Sequence, residues 1–220
     1  MPSIAEKPLV AIWGASGHAR VVVDIVRLQG KFGIAGFMDD VNPDRQGTRF
    51  CGAGILGGKE QLSELRNRGV KQVLLAFGDC KARLDLTSFL QAEGFSLPVA
   101  IHPRAVVAAQ VEMDAGTVIA AGAVVNPGVK IGRSVIINTS ASVDHDCVIG
   151  DAAHICPGVH LAGRVTVGEA AQIGIGATVI DGIHIGAGTL IGAGSVVVGN
   201  IADEVVAYGV PATIKKRVSR

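Results

Sequence analysis

From Val129 to Ile155 the chain reads VKIGRSVIINTSASVDHDCVIGDAAHI, and a large aliphatic residue returns at every sixth position: Ile131, Ile137, Val143, Ile149 and Ile155. Two residues ahead of each stands a small or β-branched one, namely Val129, Val135, Ala141, Cys147 and Ala153. Followed outward, the register runs unbroken from Val107 to Val197. A helix repeats its apolar face about every 3.6 residues and a strand every second one, so a sustained period of six fits neither alone. It fits short strands wound around a triangular prism, one hexad per face, with each inward residue stacked on its equivalent in the next coil. Sixteen hexads, at three per turn and ~4.8 Å between paired strands, predict a prism roughly 25 Å long. Asp203 stands where the next inward aliphatic would fall, so the coil is expected to end near Gly199.

Composition agrees with a thin-cored solenoid. The 220 residues are 49% hydrophobic but only 4% aromatic, with thirty glycines. A net charge of +1 gives no indication of a nucleic-acid or membrane-surface partner. The four cysteines, Cys51, Cys80, Cys147 and Cys156, show no CxxC spacing and read as reduced thiols. The N-terminus lacks the pattern of a signal peptide, and no apolar run reaches the roughly 18 residues of a membrane span. A soluble, cytoplasmic protein is expected.

Residues 1–101 differ from the rest. Leu9–Trp13 reads as a strand, followed by Gly14-Ala15-Ser16-Gly17-His18 and an apolar helix from about Ala19 to Leu28. A second strand, Ile34–Met38, ends in Asp39-Asp40; an amphipathic helix is expected at 59–68. A third strand, Gln72–Phe77, stops at Gly78-Asp79, a helix runs from about Lys81 to Glu93, and a last strand spans Pro98–Ile101. Strands alternating with helices predict a small parallel, Rossmann-like α/β sheet. The chain thus divides into an α/β domain at 1–101, an all-β left-handed parallel β-helix at 102–199, and a basic tail at 200–220 that leaves the prism. Flat faces with small outward residues make packing against copies of itself easy, and a homotrimer is expected.

Two places carry chemistry. Glycines between a strand and a helix let backbone N–H groups approach a phosphate, and the spacing Gly14-x-x-Gly17-His18 fits that use. Asp39-Asp40 and Gly78-Asp79 end strands on the same carboxyl edge, where a ribose or base would lie; a turn glycine with solvated aspartates fits the same residues. Four histidines lie in the coil. His154, His160 and His184 share one outward slot on three different faces, so they cannot converge on one ion within a subunit. His145 falls at a corner in Ser142-Val143-Asp144-His145-Asp146, where flanking carboxylates would raise its basicity and fix its tautomer. It reads as a general base or as a solvated corner residue.

Together, Trp13-Gly14-Ala15-Ser16-Gly17-His18, Asp39-Asp40, Phe77-Gly78-Asp79, the segment Ser142–Gly150, His154 in HICPGVHLAG and Gly209-Val210-Pro211-Ala212 give the chain a clear likeness. It resembles, nearly end to end, the bacterial nucleotide-sugar N-acetyltransferases of the PglD and NeuD type, built on a left-handed β-helix of hexapeptide repeats. The resemblance implies an acetyl-CoA-dependent 4-N-acetyltransferase of a UDP- or GDP-linked amino-dideoxy sugar, serving polysaccharide or O-antigen synthesis, with no metal. Ser16, Gly17, His18, Asp39, Asp40 and Gly78 would hold the sugar nucleotide. His145 would be the base, with Asp146 where close relatives carry glutamate. His154 would contact acetyl-CoA near the thioester, and Gly174, Ile175 and Ala193 would line the groove for its pantetheine arm. Relatives often carry an Asn pair after the glycine of the third strand; Asp79-Cys80 stands there in this chain. Two alternatives keep the coil: an O-acetyltransferase acting on sialic acid, and a metal-dependent hydratase of the carbonic anhydrase kind with a site shared between subunits.

Overall fold

The computed structural model describes residues 7–218, so residues 1–6 and 219–220 of the expected first and last segments lie outside it. The chain opens with β1 (Leu9–Trp13), α1 (Gly17–Gln29), β2 (Gly33–Met38), β3 (Arg49–Phe50), β4 (Ala53–Gly57), α2 (Leu62–Asn67), β5 (Gln72–Leu75) and α3 (Cys80–Ala92). The sheet order is β3-β4-β2-β1-β5. All pairs are parallel except the β3–β4 hairpin. That hairpin makes the sheet mixed, which corrects the expectation of a parallel one. Its turn and β4 lie in the glycine-rich stretch CGAGILGG, and β3 is only the two residues before it, so no apolar run marks a strand.

Among the described residues, seventeen two-residue strands follow, from Ala100–Ile101 to Val196–Val197. They stack in parallel on three faces of a left-handed prism, six, six and five to a face, and the later strands Val205–Gly209 and Ala212–Arg217 extend one face to an eight-stranded sheet. The two inward positions of each hexad fill the axis, from Ile119 through Val143 and Ile155 to Val197, all fully buried. Each coil turns its corner on a left-handed residue every sixth position, as at Gly128, Ser140, Asp146 and Gly158. Outside glycine that conformation is tolerated best by Asn and Asp.

Two further expectations are corrected. Pro98–Ile101 is not a strand of the N-terminal sheet: only Ala100–Ile101 is extended, and it pairs with Val118–Ile119 as the first rung of the prism. Nor does the coil stop near Gly199. Val206 pairs with Leu190 sixteen residues on, where the regular coils take eighteen. The two missing residues move Asp203 out of the inward slot to a corner, where it accepts the Ala187 N–H (2.8 Å). Ile201, Val205 and Ala207 take over the core. The tail stays on the prism, because Ala212–Arg217 folds back antiparallel on Val205–Gly209. No helix among the described residues is long and apolar enough to cross a membrane.

The α/β unit sits on the eight-stranded face. Down its outward column, Ala100, Val118 and Ile136 are sealed against the unit, His154 is half-buried, and Leu190 is exposed. His154 therefore stands where that cover ends.

Candidate active site

The carboxyl ends of β1, β2 and β5 open into a cleft of about 650 Å³. Gly14, Ser16, Asp39, Asp40 and Asp79 line it, with Leu86 and Phe89 of α3 as an apolar wall. Gly14 has φ +112, and a Cβ there would meet the Ala76 carbonyl at 2.9 Å, so only glycine lets the loop pass β5. Ser16 caps α1 without a side-chain hydrogen bond, which leaves the first N–H groups of the helix free for a ligand. Gly17 faces open space. Asp39 is buried and committed to its own turn: it accepts from the N–H groups of Val41 and Asn42, the Asn42 amide and Arg45 Nη1 (3.1 Å). Arg45 also donates to the Ala15 carbonyl (2.8 Å), so Asp39 braces the glycine loop. Asp40 instead faces the cleft, and burial pushes its carboxyl above the usual range.

His18 and Gly78 lie apart from the rest of this group, against the prism. The rings of His18 and His154 are 6.3 Å apart, and Gly78 packs on the His154 ring. Asn138 Oδ1 accepts the Thr139 N–H (2.8 Å), which turns its Nδ2 to donate to His154 Nε2 (3.1 Å). The ring proton of His154 is thereby on Nδ1, beside the Gly78 backbone but in no well-formed hydrogen bond. His18 Nε2 is likewise buried and unpaired. Two ring nitrogens thus face the junction with capacity to spare.

Arg83 fastens that junction. Only 1% exposed, it donates to the carbonyls of Phe77 (3.1 Å), Ser134 (3.0 Å) and Ala152 (2.6 Å). Burial first, and then this guanidinium, push His18 down to about 4 and His154 down to about 3. Both are neutral when folded, and unfolding lets each take up a proton below its ordinary value of 6.5. The unfolded state binds more protons there, so stability is full above about pH 6.5 and falls toward pH 4. The slope reaches ~1.4 kcal/mol per pH unit for each histidine. Urea midpoints measured from pH 7 to 4 should show this slope, flattened in His18→Asn/His154→Asn; an equal slope in that variant would show that the acid sensitivity lies elsewhere.

His145 and Asp146 occupy the corner between the six- and five-stranded sheets, the edge opposite the face that carries His154. Asp146 adopts φ +60 and bonds His145 Nδ1 (2.9 Å). Asp144, held by Asn126 (2.9 Å), accepts the His145 backbone N–H (2.7 Å). Glycines in adjacent coils make room: a Cβ at Gly163 would be 2.6 Å from His145 Nε2, and one at Gly128 2.4 Å from Asp146 Oδ1. His145 Nε2 is left bare. Gly174 and Ile175 share a third corner with Ala193 one coil on; Ile175 is 60% exposed, and Gly174 lies under the Ala193 N–H. The outward histidines His154, His160 and His184 belong to three different sheets.

The fold has solved counterparts. Perosamine N-acetyltransferase (PerB) from Caulobacter crescentus, in complex with CoA and GDP-perosamine, is 42% identical, with a TM-score of 0.89 over 97% of this chain and 98% of that one. The chain belongs to the PglD-like nucleotide-sugar N-acetyltransferases. The family's PglD N-terminal domain matches residues 9–90. The acetyltransferase domain of PglB from Neisseria gonorrhoeae, in complex with acetyl coenzyme A, is 36% identical over 95% of this chain and all of that one, TM-score 0.88. WeeI from Acinetobacter baumannii is 27% identical over the same shares, TM-score 0.85. No curated protein matches the chain. As a PglD-like protein it is an acyltransferase. Sequence reasoning missed Arg83, Asn138 and Lys59: each is a polar residue in an ordinary solvated pattern, and only its neighbours from distant segments single it out.

Proposed function

We propose that the chain transfers the acetyl group of acetyl-CoA to the 4-amino group of a UDP- or GDP-linked amino-dideoxy sugar, in the cytoplasm. The observation that carries this reading is His145, with Nδ1 tied to Asp146 and Nε2 bare above Gly163. That is the form of a general base: one nitrogen fixed in its tautomer, the other free to accept a proton. The sugar nucleotide lies in the cleft at Ser16, Gly17 and Asp40, with Asp39 bracing the loop. Its amine reaches the junction of His18, Gly78 and His154. Acetyl-CoA runs along the corner of Gly174, Ile175 and Ala193 to His154. The amine attacks the thioester carbonyl, His145 takes the amine's proton, and CoA leaves as thiolate, which receives a proton to become the free thiol. A thioester is already activated, so no covalent enzyme intermediate is needed. Holding the two substrates together supplies much of the rate.

His145 and His154 stand on opposite sides of one prism, so a site that uses both draws His145 from a neighbouring copy. A homotrimer packed along the prism edges closes such a site three times. Thiol release decides the acceptor: a 4-amino sugar nucleotide should support release of CoA, and free sialic acid should not. Release with sialic acid alone would turn the assignment to O-acetylation.

A further inference from the structure

The two aspartates that end β2 have different work. Asp39 is spent on its own turn and on Arg45. Asp40 faces the cleft with Oδ1 on the Lys59 N–H (2.9 Å) and the Trp13 indole as a further partner. A carboxylate has about four acceptor positions, so half of its capacity is open. The crowding is tight, since a Cβ at Gly58 would sit 2.1 Å from Asp40 Oδ1. Lys59 stands beside it, its Nζ 5.1 Å from the centroid of the Phe89 ring. Phe89, with Leu86 and Phe77, forms an apolar wall suited to the face of a planar ring. An apolar wall, a carboxylate and an ammonium line the same cleft as Ser16 at the start of α1.

We propose that Asp40 and Lys59 read the base of the nucleotide sugar, and that this base is guanine; the inference rests on reading the cleft as a nucleotide-sugar site. The pairing edge of guanine presents an acceptor, O6, and then two donors, N1–H and N2–H. Lys59 followed by Asp40 presents a donor and then two acceptors, which matches group for group. Uracil presents acceptor, donor, acceptor, so its second carbonyl would face the carboxylate without a proton between them. Discrimination follows because a mismatch sets a carbonyl oxygen against the carboxylate and leaves it without a donor.

The test is calorimetric binding of GDP, IDP and UDP to the full chain, without acetyl-CoA. IDP differs from GDP only in lacking the N2 amino group. GDP should bind about tenfold tighter than IDP, and UDP should bind more weakly than GDP by at least that factor. In Asp40→Asn the preference of GDP over IDP should vanish. UDP binding as tightly as GDP would overturn the proposal. So would an equal loss of GDP and IDP affinity in Asp40→Asn, which is what a contact to ribose predicts. Should that variant fail to fold, the ranking of the three nucleotides on the unaltered chain decides alone. Failure of the acetyl-transfer reading is separate: it appears as absent thiol release whatever the nucleotide order.

Discussion

Replacing His145 by alanine should lower kcat by about 10²–10⁴-fold and leave KM for acetyl-CoA nearly unchanged. The side chain projects from a corner that carries no core load, so the variant should fold and melt as the parent does. What is lost is an imidazole with Nδ1 held by Asp146 at 2.9 Å and Nε2 free, the group proposed as the base. Gly163→Ala approaches the same ring from below: the added methyl would meet Nε2 at 2.6 Å and must push the imidazole aside. A partial loss of kcat, again without a rise in KM, is expected. Because His145 and His154 lie on opposite sides of one prism, inactive His145→Ala and His154→Ala chains should recover activity when unfolded and refolded together. Mixed assemblies contain sites at which each chain supplies the histidine the other lacks. Unchanged turnover in His145→Ala would remove the base assignment, and no recovery on mixing would place the whole site in one chain.

The largest effect on stability is expected at Arg83. Its guanidinium is sealed between α3 and the eight-stranded face, bonded to carbonyls of Phe77, Ser134 and Ala152. Alanine there leaves three buried carbonyls short of a donor and a cavity the size of the side chain. Each unsatisfied group costs about 1–3 kcal/mol, and relaxation of the junction recovers part of the sum, so about 3–5 kcal/mol should be lost. At roughly 2–4 °C per kcal/mol for a chain of this size, the melting point should drop by about 10 °C. Lys81→Ala provides the contrast. Its pair with Asp85 lies on the outer side of the same helix, with both partners mostly exposed, and is worth less than about 1 kcal/mol. A drop below about 2 °C in Arg83→Ala would mean that the apolar contact alone holds the α/β unit to the prism.

How far the sequence could be read depended on the range of the interaction. The strand Leu9–Trp13 and the prism were visible in it. The β3–β4 hairpin was not, because glycines at 52, 54, 57 and 58 dilute its alternation. Asp203 misled, because a two-residue shortening of the last coil shifts the register ahead of it. Asp39 and Asp40 read alike in the chain, yet one braces the loop and the other faces the cleft.

The sequence by itself determined the prism and the three-way separation of its histidines. In a coil of three hexads each residue packs on the one eighteen places later, so a one-dimensional pattern contains the packing. Only the tertiary structure decided which of those three histidines the α/β unit covers. His154, His160 and His184 hold the same slot in the hexad, but the α/β unit covers one face alone and draws only His154 into a half-buried junction with His18. That choice rests on contacts such as Arg83 with Ser134 and Ala152, fifty-one and sixty-nine residues away. No local periodicity records a contact at that range.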